Sequence, residues 1–355
     1  MERVLLRCLA IAGVSASVIC GSVLAGAARG WASERSVREV QVSIPNTRRV
    51  DFVSNINGHR YSITVALPFD PPPASGYGVL YVLDGYAYFA SAAEAVRGPG
   101  PGNAPGVIVV GIGYPDDSAF VRSVFTRRRP IPAWFTSRPP FIAAPYLERT
   151  YDLTLPATDR ELTAQGMPEF RDSKNVGGLD DFLRTIETEV KPRVAAISRV
   201  DLRNQVLFGH SFGGLAVLHA LFVEPGAFRT FIAASPSIWW NNKEVLADEA
   251  KFETAVRSGQ ASPRVLVTMG SEESTPPAAV PPSWGLDAAV LAAQVRQTHM
   301  VDNGRQLVER LKAVHGSVNY VVEDYAVFEK LSHGLAPWPA LARGISFAFS
   351  PEHVP

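Results

Sequence analysis

The sequence predicts an α/β fold in which helices cover both faces of a mostly parallel sheet. Three observations carry that expectation. Continuous apolar runs such as GVLYVLDG (78–85) and PGVIVVGIGYP (105–115) have the composition of strands buried on both faces. From residue 178 onward such runs alternate with stretches of helical period, which calls for parallel strands joined by crossover helices. Between two of them, NQVLFGHSFGGLAVLHALF (204–222) passes from one buried run to another through a serine set among glycines.

Taken in order, residues 1–32 read as a signal peptide. Arg3 and Arg7 precede the nearly uncharged stretch CLAIAGVSASVICGSVLAGAA, and Ala25-Gly26-Ala27 and Gly30-Trp31-Ala32 offer small residues for cleavage. A retained membrane anchor is the competing reading, weakened by the many Ala, Gly and Ser residues. Cys8 and Cys20 both fall in this segment, so removing it leaves no disulfide, no thiol nucleophile and no cysteine metal site. The remainder, 33–355, is expected to be one catalytic domain.

VREVQVSIP (37–45) and RRVDFVSNINGHRYSITVALP (48–68) alternate like strands, with INGHRY as a turn. AYFASAAEAVR (87–97) has helical composition. From 115 to 174 prolines, the three arginines 127–129 and unperiodic aromatics replace the pattern, as in a lid or substrate-binding insertion. In GLDDFLRTIETEVKPRVAA (178–196), Leu179, Phe182, Leu183, Ile186 and Val190 share one helical face, and Pro192 marks an end or a kink. The strand TFIAAS (230–235), the strand PRVLVTMG (263–270), a helix in HMVDNGRQLVERLKAVHG (299–316), the strand VNYVVEDY (318–325) and a helix in PWPALARGISFAF (337–349) complete the alternation.

Composition narrows the function. At 355 residues, 46% hydrophobic and 19% charged, the chain suits an ordered globular protein, and 34 Lys plus Arg against 34 Asp plus Glu give no bias toward nucleic acid or anionic membranes. Chemistry concentrates at Gly209-His210-Ser211-Phe212-Gly213-Gly214. A strand reversing at once into a helix strains its turn residue, and the flanking glycines remove side chains that would clash there. The hydroxyl of Ser211 is thereby pushed out at the carboxyl edge of the sheet, where the helix aims its amides and positive end. A serine nucleophile needs a base. Among seven histidines His333, in a loop after the last expected strand and before the last helix, has the required topological place. The acid is expected in the loop after PRVLVTMG, where Glu272 is preferred slightly over Glu273, with Asp287 as competitor. A solvated acidic turn, with Ser and His acting alone, is the other reading. For the oxyanion, the amide of Phe212 is one candidate donor and that of Tyr86, exposed by a sharp turn at Gly85, the second.

YVLDGYAYF, VIVVGIGYP, RTYDLTLP, GGLDDFLRTIETEVKPRV, LFGHSFGGLAVLHALF, ASPSIWWNN, VTMGSEE and LSHG, in that order, resemble the esterase-D-like branch of the α/β-hydrolase superfamily. Within it the chain is most similar to periplasmic trilactone esterases that open enterobactin- and salmochelin-type siderophores. The resemblance implies an α/β-hydrolase fold with a lid-like insertion, Ser211 as nucleophile, His333 as base and a glutamate at a strand end. It also implies that Trp239 and Trp240 stand beside the acyl pocket, although they could equally be core residues. The 115–174 segment departs from the family pattern, which leaves the substrate open. Aromatics beside Arg127, Arg128 and Arg129 would suit an anionic ferric tri-catecholate, although a solvated basic loop explains them equally well.

The expected activity is therefore serine carboxylic-ester hydrolysis through an acyl-enzyme, in the periplasm or outside the cell. The implied partner is a small-molecule ester, with a ferric siderophore among the candidates, and not nucleic acid. No cofactor or resident metal is implied, nor a stable membrane association once the signal is removed. Two alternatives compete: acyl transfer to an alcohol by the same site, and a non-catalytic siderophore-binding protein.

Overall fold

The computed structural model describes residues 42–98, 104, 106–115, 148–164, 173–276 and 287–350. The leading 1–32 segment, most of the 115–174 insertion with Arg127, Arg128 and Arg129, and His353 lie outside the described residues. Two units divide the chain, Met1–Ser43 and Ile44–Pro355, and the second contains every element named here.

A nine-stranded sheet forms among the described residues. Strands β1 (Thr47–Val53), β2 (Arg60–Ala66), β3 (Tyr77–Leu83), β4 (Val107–Gly113), β5 (Val200–His210), β6 (Thr230–Ala234), β7 (Arg264–Gly270) and β8 (Val321–Val322) lie in the order β1-β2-β4-β3-β5-β6-β7-β8. The ninth, β9 (Ala326–Phe328), also pairs with β7. The contacts of β2 with β1 and β4 are antiparallel and all others parallel.

Period-two alternation sends successive side chains of each central strand to opposite faces. Val79, Tyr81, Leu83 and Leu207 join one apolar cluster, while Leu80, Val82, Val206 and Phe208 join another across the sheet. Both faces consequently need helical cover. Helices α1 (Gly85–Arg97) and α9 (Pro337–Phe349) supply it on the second face. On the first, the cover comes from α3 (Leu179–Thr185) with its continuation α4 (Lys191–Ile197), α5 (Phe212–Val223), α6 (Glu249–Arg257) and α8 (Met300–Lys312). The remaining helices are α2 (Asp159–Ala164) and α7 (Ala288–Thr298). α5 is buried from Phe212 to Phe222, which explains why its sequence shows no polar face. At about 1.5–3 kcal/mol for each fully buried large aliphatic side chain, these two clusters dominate the stability of the fold.

One expectation needs correction and a second is narrowed. VNYVVEDY is not one strand: only Val321–Val322 and, further on, Ala326–Phe328 pair with β7. The hydroxyls of Tyr320 and Tyr325 instead donate to the carbonyls of Leu311 and Val301 in α8, tying the interrupted segment to that helix. Pro192 does not end its helix, but it stands directly after an irregular turn. A π-helical turn at Ile186–Val190 links α3 to α4, with Pro192 in the first turn of α4, where a missing N–H is tolerated. Among the described residues, no helix is long and apolar enough to cross a membrane.

Candidate active site

Parallel register brings the strand ends to one edge. Val82 pairs with Phe208, His210 with Ala234, Ala234 with Thr268 and Gly270 with Phe328. The residues that follow β3, β5, β6, β7 and β9 therefore leave the sheet side by side, and Ser211 and His333 meet there.

Ser211 sits alone between β5 and α5 at φ 61 and ψ −118, a backbone conformation that costs a non-glycine residue about 1–3 kcal/mol. Its backbone is held from three sides: its N–H donates to Ala234, and its carbonyl accepts from Leu215 and Ser237. The glycines around it are not equivalent. A Cβ on Gly209 would fall on the carbonyl of Gly213, and one on Gly214 would stand 2.8 Å from the Ala234 oxygen and the Pro236 Cα. A Cβ on Gly213 would have its nearest neighbours at ordinary contact distances, 3.4 and 3.5 Å away. The tight passage thus depends on the first and third glycines more than on the second.

His333 and Ser211, 122 residues apart, meet at 2.9 Å between Nε2 and Oγ. On the other side of the ring, Nδ1 lies 2.8 Å from Oε2 of Glu273. The carboxylate in line is therefore Glu273 and not the slightly preferred Glu272. The reason is the turn after β7: the Glu273 N–H donates to the Gly270 carbonyl, folding that side chain back under the strand ends, where it is buried. Its Oε1 accepts from the Ser235 hydroxyl at 2.5 Å and the Gly270 N–H at 2.6 Å. Glu272 is exposed, and its backbone N–H joins the base loop at the Leu331 carbonyl. Asp287 is committed elsewhere, capping α7 through the N–H groups of Ala289 and Val290.

Phe212 opens α5, and Tyr86 is the second residue of α1. Both follow strands that end in register at the same edge, and a Cβ on Gly85 would strike the backbone of Gly111 and Ile112 at 2.6–2.8 Å. Asp84, before Gly85, adopts φ 55 and is gripped by Arg149 through Nε–Oδ1 at 2.6 Å and Nη2–Oδ2 at 2.9 Å. Arg149 also donates to the His210 carbonyl at 3.3 Å, so one buried guanidinium bridges the loop after β3 to the end of β5. This clamp and the Ser235 contact were missed in the sequence; RTYDLTLP carried the arginine but no local sign of its partner.

The two tryptophans part company. Trp240 is fully buried, packs edge-on against Phe212 at 5.2 Å and donates its indole N–H to the Leu155 carbonyl, the core placement that was the alternative for this pair. Trp239 is half-buried, lies 6.0 Å from the Phe212 ring, and lines a cavity of 370 Å³ together with Glu161, Asn242, Gln294 and Gln297. Of the other histidines, His219 pairs with Asp180 and His59 with Asp152. His210, expected to point into the fold, is buried with its ring 4.5 Å from that of His333.

Comparison with known proteins places this chain in a family. The model of the esterase family described as "Putative esterase" matches residues 153–320. The chain is 31% identical to the ferri-bacillibactin esterase of Bacillus subtilis over 317 residues, 87% of this chain and 92% of that protein. It is 33% identical to the siderophore enterobactin esterase of Emericella nidulans, over 81% of this chain and 88% of that protein. Among solved structures it is similar to the BES protein from Bacillus cereus, with a TM-score of 0.66 and 29% identity, covering 88% of this chain and 99% of the other. The chain is an esterase of the α/β-hydrolase fold and belongs to the family that contains these siderophore esterases.

Proposed function

We propose that this esterase cleaves the ester bonds of a siderophore with Ser211 as nucleophile, His333 as base and Glu273 as the acid that orients the base. The observation that carries this reading is the continuous row Ser211 Oγ–His333 Nε2 at 2.9 Å and His333 Nδ1–Glu273 Oε2 at 2.8 Å. In it, Nε2 takes the serine proton as Oγ attacks the ester carbonyl, and Glu273 holds the proton on Nδ1 and steadies the imidazolium. The amides of Phe212 and Tyr86 are the oxyanion donors in this scheme. Collapse of the tetrahedral intermediate breaks the C–O bond, and His333 returns its proton to the departing alkoxide. Water, deprotonated by the same imidazole, then frees the acid and restores Ser211.

A siderophore substrate is supported by the names of the relatives, which act on ferri-bacillibactin and enterobactin. It is also supported by the apolar face that Trp239, whose ring stands 6.0 Å from that of Phe212, gives the cavity it lines. Any iron would enter with that substrate. The arginine- and aromatic-rich insertion 115–174 is the proposed lid, and the leader 1–32 is proposed to direct the chain to the periplasm or the exterior. The test is a substrate panel of ferric and iron-free trilactones beside a short nitrophenyl acylate, with products identified by mass spectrometry. Stepwise opening of the trilactone by the wild type and none by Ser211→Ala is the expected result. Cleavage of the acylate alone would refute the substrate, and undiminished turnover by Ser211→Ala would refute the nucleophile.

A further inference from the structure

The residue before the proposed nucleophile has no assigned part in the reaction, yet its side chain touches the base. His210 ends β5, and its imidazole is buried between Tyr88 of α1 and His333 of the loop after β9. Its ring centroid is 4.5 Å from that of His333, with the planes inclined by 38°. Nδ1 lies 3.0 Å from the Tyr88 hydroxyl. The Tyr88 ring is itself fixed, edge-on to Phe208 at 6.1 Å and to Trp338 at 5.3 Å. Nε2 of His210 is fully covered and, among the described residues, makes no hydrogen bond of good geometry.

The base shows what this ring supplies. The two hydrogen bonds of His333, to Glu273 and Ser211, lie at opposite ends of its ring and leave rocking about the Nδ1–Nε2 line unrestrained. The imidazole side chain is 42% exposed, so one side of it meets solvent while the other meets His210. We propose that His210 is the positioning residue for His333, a ring that stops the base from rocking and whose own orientation is fixed by the Tyr88 hydroxyl. The inference rests on the reading of Ser211 and His333 given above.

Electrostatics agree with this placement. Burial, followed by the charges of His333 and Arg149, pushes the His210 imidazole well below its ordinary range, with only a weak opposing pull from the His333 backbone. The ring is thus neutral when His333 takes up its proton. It offers the imidazolium a π surface instead of a second positive charge.

The experiment measures kcat and KM on a nitrophenyl acylate for His210→Ala, His210→Phe, Tyr88→Phe and the double variant His210→Ala/Tyr88→Phe, with Ser211→Ala alongside. A base displaced by about 1 Å loses on the order of a hundredfold in rate, so His210→Ala should lower kcat by roughly 30- to 100-fold, with KM within about threefold. His210→Phe, which restores a flat ring of similar size, should recover kcat to within about fivefold of wild type. Tyr88→Phe should cost a few-fold in the wild-type background and nothing further beside His210→Ala, because it acts through that ring. A kcat for His210→Ala within twofold of wild type overturns the proposal, as does an undiminished Tyr88→Phe loss in the double variant. Should His210→Ala not fold, a His210→Phe protein as inactive as Ser211→Ala overturns it equally. An active Ser211→Ala protein would instead sink the nucleophile, which keeps the two failures apart.

Discussion

Replacing Glu273 with glutamine tests the acid that sequence reasoning left between neighbours. A carboxylate and an imidazolium with charge centres about 4 Å apart attract by roughly 4 kcal/mol at an effective dielectric of 20. The imidazole is 42% exposed and the carboxylate fully covered, so solvent screens about half of this and leaves about 2 kcal/mol. The surrounding donors add a second penalty. Ser235 O–H and Gly270 N–H both point at Oε1, so a glutamine would place its carbonyl oxygen there and turn its NH₂ toward His333 Nδ1. That arrangement favours the tautomer with hydrogen on Nε2, which cannot take the serine proton. Reversing it costs a further hydrogen bond, about 1 kcal/mol. Together these predict a loss of about 3 kcal/mol, a 10²- to 10³-fold fall in kcat on a nitrophenyl acylate, with KM little changed. Glu272→Gln and Asp287→Asn should stay within about twofold in kcat, because neither side chain reaches the ring. A Glu273→Gln enzyme keeping more than about a third of wild-type kcat, or a Glu272→Gln enzyme equally impaired, would refute the reasoning.

The remaining predictions concern stability. Gly214→Ala should cost about 2–3 kcal/mol in urea unfolding, while Gly213→Ala should be neutral or stabilising; the reverse order would contradict the crowding deduced at the elbow. Arg149→Met strands the buried carboxylate of Asp84 and should cost about 3–5 kcal/mol, with part recovered in Asp84→Asn/Arg149→Met; an uncorrected double variant would show that the pair is not coupled. His210 is held below its ordinary value of 6.5, so the unfolded chain binds its proton first as pH falls. Its contribution is therefore intact above about pH 6.5 and is lost below it at up to about 1.4 kcal/mol per pH unit. His210→Phe should flatten the acid limb of the stability–pH curve by about one proton; an unchanged slope would contradict a neutral buried His210.

How much the sequence revealed depended on whether a residue's place is set by topology or by one turn. Ser211 was legible because a strand that reverses straight into a buried helix needs glycine at Gly209 and Gly214. His333 was legible because the strand–helix alternation dictates which loop reaches the edge. Glu273 was not separable from Glu272, since adjacent turn residues point to opposite sides and only the folded turn, with its Gly270 and Ser235 hydrogen bonds, shows which one is buried. Asp287 carries an N-cap position that was legible in principle, just before the helix-forming stretch AAVLAAQVRQT. Trp239 and Trp240 differ in burial because the chain passes through three left-handed residues, Asn241, Asn242 and Lys243, immediately after them, a bend that no periodicity announces. The Asp84–Arg149 clamp joins residues 65 apart and could not be read from either segment.

The central claim is that the hydroxyl of Ser211 attacks and that the imidazole of His333 activates it. Its most direct test is covalent labelling with a fluorophosphonate, followed by peptide mass spectrometry of the adduct. The account predicts a single adduct on the peptide bearing Ser211, formed rapidly by the wild type and slowed at least a hundredfold by His333→Ala. Labelling at another residue, or an undiminished rate without the imidazole, would contradict it.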